Sequence, residues 1–383
     1  MHLTLPRADG RLERYTLAQS DPLPDAAGPV FSSRVAYAAA HVVIDPVASR
    51  DPFECAVIDW ESTIAFRRHL WSLGFGVAEA MDTAQRGMGL DWPRAAELIQ
   101  RSCAAASGPI ACGVNTDSLD PAAPLTIDSV IAAYEQQCEF VEKAGGRVIL
   151  MASRALARCA QSPADYVRVY GHLLPQLKQP AILHWLGDAF DPALAGYWGG
   201  SNVAESMASC LDIIRENAAS IDGVKISLLD ANLEIQMRRR LPESVRMYTG
   251  DDFNYPELIH GDDQGHSDAL LGIFDAIAPV AALALRALDS GETGRYNSLL
   301  DPTLPLSRHI FQRPTFYYKT GVVFLAYLNG HQRHFRMLGG QESARSLGHL
   351  GELFVLADQA RLFRNPELAV ERMQRILSIG GIE

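Results

Sequence analysis

Ala219-Ser-Ile-Asp-Gly-Val-Lys-Ile-Ser-Leu-Leu-Asp230 reads as a helix end, a turn at Asp222-Gly223, a short apolar strand at Val224–Ile226 and a polar turn. Its lysine is the anomaly. An ammonium inside a buried strand is expensive unless it is paired or neutral. Desolvation lowers a lysine's pKa, and a neutral amine is a nucleophile towards carbonyl carbon. A structural lysine snorkelling from a strand end to water fits the stretch equally well. The place of the strand in the chain decides between them.

Outward from this strand, short apolar strands alternate with helical stretches in both directions. Towards the N-terminus lie strands at Ala181–His184, Val148–Met151, Ile110–Val114, Gly76–Met81 and Val35–Ile44. Helical spacing separates them at Asn202–Ala219, Pro163–Leu177, Thr126–Ala144, Asp91–Ala106 and Asp59–Leu73, the last with Asp59 as cap. Towards the C-terminus come a helix through Arg240, a strand at Val245–Tyr248 and a short helix near Phe253–Ile259. An eighth strand near His266–Leu270 and a helix at Ile273–Leu288 close the series.

Such alternation implies parallel βαβ units, and eight of them predict an α/β fold of the (β/α)8 TIM-barrel type. A doubly wound open sheet is the competing architecture. It would more usually place a glycine-rich phosphate loop after its first strand, whereas Gly74-Phe-Gly76-Val-Ala precedes strand two. The barrel takes residues 36–290. Residues 1–35 are expected to be an extension with a small hairpin, Leu3 and Leu5 before the Arg7-Ala-Asp-Gly10 turn and Leu12 after it. Residues 291–383 show helical spacing at Thr315–Leu328, Glu342–Leu362 and Pro366–Leu377. They are expected to pack as a helical appendage on the barrel's side and to offer an oligomer surface.

With 48% apolar and 21% charged residues in 383, the composition is that of a soluble globular protein. A net charge of −11 argues against nucleic acid and anionic membranes as partners. The six cysteines (Cys55, Cys103, Cys112, Cys138, Cys159, Cys210) show no C-x-x-C pair or tight spacing, as a zinc knuckle or disulfide framework would need. No leader pattern and no run of ~18 apolar residues is present; Ile273–Leu288 is interrupted by Asp275, Pro279 and Arg286. The expectation is a cytoplasmic homo-oligomer, dimer or tetramer, acting on a small molecule without a cofactor.

In such barrels chemistry sits at the C-terminal ends of the strands. Those ends offer Asp45; Asp82 and Thr83; Asn115, Thr116 and Asp117; Ser153 and Arg154; His184 and Trp185; Lys225 and Ser227; and Thr249, Asp251 and Asp252. Asp45 before Pro46 also suits a turn cap, and Asn115 and Asp117 suit any loop. Arg154 beside Ser153 would suit a carboxylate or phosphate, or simply the surface. His184 is either a proton shuttle titrating near neutrality or a satisfied core histidine. A lysine on strand six with a proton donor on strand five is what imine chemistry requires. The amine attacks a carbonyl, an acid protonates the departing oxygen, and the iminium becomes an electron sink for cleavage or elimination.

The order of these elements resembles the dihydrodipicolinate synthase/N-acetylneuraminate lyase group of class I aldolases, and within it an uncharacterised domain-of-unknown-function branch (DUF993-like). Gly223-Val-Lys-Ile-Ser227 is similar to the family's strand-six segment, which gives Lys225 the Schiff-base role. Gly250-Asp-Asp252 resembles its Gly-Asp-Asp, and Ala144-Gly145 its Ala-Gly before strand four. Pro180-Ala-Ile-Leu-His184 matches the segment that normally ends in the catalytic tyrosine, so His184 stands in for a phenol. Two features depart from the family. Met81-Asp-Thr-Ala-Gln-Arg-Gly87 replaces the Gly-Thr-Thr-Gly-Glu turn that holds pyruvate's carboxylate, and Met151-Ala-Ser-Arg154 replaces a tyrosine pair.

The expected function is a class I lyase, aldolase or dehydratase, acting on a small keto acid or sugar-derived keto compound. Lys225 would form the imine and His184 would move protons. Asp82, Thr83, Asn115, Ser153, Arg154, Ser227, Thr249 and Asp251 would surround the substrate. Two other readings stay open. One is a divalent-metal aldolase or isomerase using Glu79, Asp82, Asp117, His184 and Asp251. The other is a non-catalytic barrel that binds a sugar acid.

Overall fold

The computed structural model describes residues 1–7, 9–18, 23–49, 51, 53, 56–120 and 122–382. Ala8 of the expected hairpin turn and Cys55 lie outside them; Cys103, Cys112, Cys138, Cys159 and Cys210 are free thiols. An N-terminal hairpin, β1 (His2–Pro6) and β2 (Leu12–Thr16), precedes the barrel. Barrel strand one is β3 (Ala36–Ala39), followed by a two-residue ribbon of β4 (Ile44–Asp45) with β5 (Val57–Ile58). Then come α1 (Trp60–Ser72), β6 (Gly76–Glu79), α2 (Trp92–Ala105), β7 (Ile110–Val114), α3 (Ile127–Ala144) and β8 (Arg147–Met151). After α4 (Arg154–Cys159) and α5 (Pro163–Leu173) follow β9 (Ala181–Leu186), α6 (Val203–Glu216), β10 (Ile221–Ser227) and α7 (Ala231–Arg238). The barrel ends with β11 (Arg246–Thr249), α8 (Tyr255–His260), β12 (Asp268–Leu271) and α9 (Ile273–Asp289). The eight longer strands from β3 onward run parallel in sequence order, and β12 pairs with β3 to close the ring. A closed sheet has no edge, so the doubly wound alternative is ruled out.

Local chemistry explains the helix starts. Asp59, Asp91, Thr126 and Asn202 each accept a backbone N–H from three residues on, at the heads of α1, α2, α3 and α6. Strand one is shorter than its apolar run. The backbone N–H of His41 and its Nδ1 are both held at 2.8 Å by Asp275 of α9, which draws the chain out of the ladder. Asp45 therefore sits in the ribbon rather than at the barrel rim. Its carboxylate accepts the amides of Val47 and Ala48, the turn-cap role.

Alternation along the strands separates two cores. Tyr37, Ala39, Ala78, Ala111, Ile149, Met151, Ile182, Tyr248 and Leu270 pack in the barrel interior, while the alternate residues pack beneath the helices. Register aligns Met151, His184, Lys225 and Tyr248 across four neighbouring strands, so all four share the inner face. Gly223 makes room there, since a Cβ would lie 2.5 Å from the Tyr248 ring.

The C-terminal region is helical throughout: α10 (Thr293–Leu300), α11 (Thr303–Ile310), α12 (Tyr318–Leu328), α13 (Leu347–Gln359) and α14 (Pro366–Ile379). α12 packs on α9, and its first turn reaches over the barrel mouth. α13 and α14 pack on β1; Tyr15 donates to Asp358 at 2.6 Å, and Arg7 pairs with Glu352 at 3.0 Å. No described helix is long and apolar enough to cross a membrane.

Candidate active site

Lys225 stands near the end of β10 with 8% of its surface exposed. Its ammonium makes no hydrogen bond or ion pair among the described residues. Burial pulls its pKa down, and the carboxylates of Asp252 and Asp82 pull it partly back. The stem is tightly seated. A Cβ on Gly250 would meet Lys225 Cε at 2.8 Å and Ser227 Oγ at 2.2 Å, so the residue after β11 must be glycine to let the lysine pass. His184, beside it in register, is 1% exposed. Its Nε2 lies 3.4 Å from Ser227 Oγ, and its Nδ1 has no partner. Burial, with Lys225 beside it, holds the imidazole well below its ordinary pKa, so it is neutral in neutral solution.

Acids surround the lysine. Asp252 Oδ1 accepts the amide of Ile273 at 2.9 Å, at the head of α9. Burial pushes this carboxyl up to about 7, against the pull of Lys225. Asp82 lies across the mouth and acts electrostatically on Lys225 and on Lys319, the second residue of α12. Lys319 is 4% exposed; its Nζ donates to the Phe316 carbonyl at 2.9 Å and lies 3.3 Å from Met88 Sδ. Burial pushes it down to about 8. Next to it, the Tyr318 hydroxyl and Thr83 Oγ1 share a 2.8 Å hydrogen bond. Burial raises the Tyr318 pKa well above its ordinary value, which keeps the phenol protonated.

A cavity of about 680 Å³ opens beside this group. His184 and Met151 lie on its wall, with Asp82, Asn115, Arg86, Arg154, Arg158 and Asp191. Arg86 is fully used: it clasps Asp117 with two nitrogens and Gln137 at 2.8 Å. Arg154, more than half exposed, pairs with Asp191. Leu119, Leu125, Leu186 and Leu194 make much of the remaining wall apolar.

Of the residues expected around the substrate, Lys225, His184, Ser227, Asp82, Asn115 and Arg154 are gathered at the mouth and cavity. Ser153, Thr249 and Asp251 are not. Ser153 Oγ caps α4 through the Leu156 amide and bonds Thr116 at 2.6 Å. Thr249 has the outward parity of β11 and donates to Glu234 Oε2 at 2.9 Å. Asp251 holds the amides of Phe253 and Asn254. Thr83 is buried against Tyr318 behind Asp82. The five donors considered for a divalent cation are also dispersed: Arg67 binds Glu79, Arg86 binds Asp117, and amides bind Asp251. Among the described residues no three such donors converge. Sequence reasoning did not select Asp252, Tyr318 or Lys319. Lys319 carried a usable signal, a lysine within the apolar run of α12.

Comparison with solved structures supports the fold. YagE, a prophage protein of the dihydrodipicolinic acid synthase family from E. coli K12 solved in complex with pyruvate, has a TM-score of 0.67 at 14% identity; the match covers 86% of this chain and 99% of YagE. Dihydrodipicolinate synthase from Bacteroides thetaiotaomicron has a TM-score of 0.62 at 16% identity, over 83% and 97% of the two chains. The enzyme from Oceanobacillus iheyensis has a TM-score of 0.61 at 14% identity, over 85% and 95%. No curated protein matches this sequence. The barrel is thus of the dihydrodipicolinate synthase type, and, matching over residues 3–382, the chain belongs to the family described as protein of unknown function (DUF993).

Proposed function

We propose that the protein is a class I lyase, an aldolase or dehydratase, that activates a keto compound as an imine on Lys225. The observation that carries this reading is a buried lysine without an ion-pair partner in the inner layer of a dihydrodipicolinate synthase-type barrel, beside a large cavity. YagE, of similar fold, was solved with pyruvate, which supports a keto acid as the reacting end of the substrate.

Lys225 Nζ, as the free amine, forms a bond to the carbonyl carbon and gives up one proton as the carbonyl oxygen takes one up, which leaves a neutral carbinolamine. Asp252 is suited to supply protons: its carboxyl near pH 7 is poised between donor and acceptor. A second proton on that oxygen lets it leave as water, and the iminium draws electrons from the bond that breaks. His184, neutral with a free Nδ1, serves as acceptor for the proton released in cleavage. Tyr318 and Thr83 close the mouth from the side of Asp82.

The test is borohydride trapping with 2-oxo acids followed by mass mapping. Wild type should carry the reduced adduct on Lys225, and Lys225→Ala should carry none while its circular dichroism and melting stay near wild type. The substitution leaves a methyl, and Asp252, no longer held down by the ammonium, takes up a proton, so no unpaired charge remains beside it. Adducts on other lysines only, or turnover by Lys225→Ala, would refute the proposal.

A further inference from the structure

The cavity is far larger than a three-carbon keto acid needs. At about 680 Å³ it lies within the ~300–1,000 Å³ of sites that enclose drug-sized ligands. Its chemistry is also polarised. The inner end holds His184 and Met151, next to Lys225 in register. Leu119 and Leu125 from the loop after β7, Leu186 at the end of β9 and Leu194 beyond it form an apolar middle. The outer end holds α4, where Arg154 and Arg158 stand four residues apart on one helical face.

The two arginines differ. Arg154 is already paired with Asp191, whereas Arg158, exposed on the cavity wall, has no carboxylate partner among the described residues. Asp120, also on the wall, turns its Oδ1 to the Ala122 amide. A polyhydroxylated sugar chain would find few hydrogen-bonding groups along the leucine wall, and each hydroxyl stripped of water there would be unfavourable. An aliphatic or aromatic segment would gain from the same surface.

We infer that the cavity receives a long keto acid whose apolar segment lies along Leu119, Leu125, Leu186 and Leu194 and whose second, terminal carboxylate meets Arg158. This substrate class rests on the imine reading, since Lys225 fixes which end of the molecule enters first. Arg158 offers a planar fork that matches a carboxylate at two points. The leucines reward chain length, and Arg158 rewards the second acid.

Three probes separate these terms: pyruvate, 2-oxooctanoate and 2-oxooctanedioate. Half-maximal borohydride trapping at Lys225 should need at least tenfold less 2-oxooctanoate than pyruvate, since each methylene that reaches the wall contributes up to about fourfold. The diacid should improve on the monoacid several-fold more. Arg158→Met should erase only that last gain, and Leu125→Asn should shrink the first; both positions are at least partly exposed, so the fold should tolerate the changes. Equal trapping of all three acids, or an equal loss for both eight-carbon acids in Arg158→Met, would overturn the inference. If no acid is trapped, the imine reading fails. Calorimetry of Lys225→Met with the same acids then judges the cavity alone: the same order of affinity sustains the long-acid pocket, and a flat order overturns it.

Discussion

Glu234→Gln should make the protein less stable in mild acid and more stable in mild alkali. Glu234 is 1% exposed, and its two oxygens accept the hydroxyls of Thr249 at 2.9 Å and Ser267 at 2.7 Å, at the ends of barrel strands seven and eight. Burial pushes its carboxyl from 4.5 up to about 8, against the favourable hydroxyl contacts. Because the folded value is the higher one, the protonated group favours the fold below 4.5, and that contribution is lost as pH rises through 8. Each pKa unit is worth ~1.4 kcal/mol, so ionising the buried carboxyl costs up to about 5 kcal/mol well above pH 8. Glutamine cannot ionise and escapes this loss. It must turn one hydroxyl round to accept from its amide, which costs about 1 kcal/mol at any pH. Thermal unfolding followed by circular dichroism at pH 4, 7 and 9 reads the sign directly. The variant should melt below wild type at pH 4 and above it at pH 7 and 9, by several degrees at pH 9. A melting difference that stays constant across this range would show that Glu234 is ionised in the fold throughout.

Asp252→Asn should remove an ionisation near pH 7 from the pH profile of kcat, with kcat itself falling about 10²–10⁴-fold; a profile unchanged in shape would take the proton-donor role from Asp252. His184→Phe should lower kcat yet leave that ionisation in place, because the imidazole is neutral across the range; loss of the neutral limb in this variant would reverse the two assignments. Gly250→Ala should impair Lys225 adduct formation and cost about 1–3 kcal/mol of stability, as its methyl collides with Ser227 Oγ and the lysine stem. Wild-type trapping and melting in that variant would mean the strand end shifts freely.

The barrel was legible because its strands and helices differ in period and because eight repeats leave few other folds. Lys225 was legible for the opposite reason: it violates the apolar pattern of its strand. Lys319 breaks the pattern of α12 in the same way, but it lies beyond the eight repeats, and only the folded chain shows that α12 bends back over the mouth. The choice between Asp251 and Asp252 could not be read from sequence. One residue of turn geometry decides which carboxyl caps the loop and which faces the lysine. Thr249 and Ser153 failed through parity and capping, since a hydroxyl one step along a strand faces the helices instead of the interior. The place of His184 beside Lys225 could be read from the strand order, but the lowering of its pKa could not, because the depth of burial is a property of the whole barrel. The leucine wall, assembled from separate segments, leaves no local periodicity.

The clasp between the chain's two ends bears on how the molecule is made. Tyr15 and its partner Asp358 are separated by 343 positions, so the hairpin that carries Tyr15 is synthesised well before the helix that holds it. At ~5–20 residues per second of synthesis, that hairpin waits roughly 20–70 s for the helix that will hold it. Over most of the same interval the barrel mouth lacks Tyr318 and Lys319. A nascent chain therefore exposes the apolar face of β1 and an open, lysine-bearing barrel together, and both are covered only once α12, α13 and α14 are made. Synonymous changes that slow translation after residue 300 should lengthen that exposure and raise aggregation without altering a single contact of the finished protein.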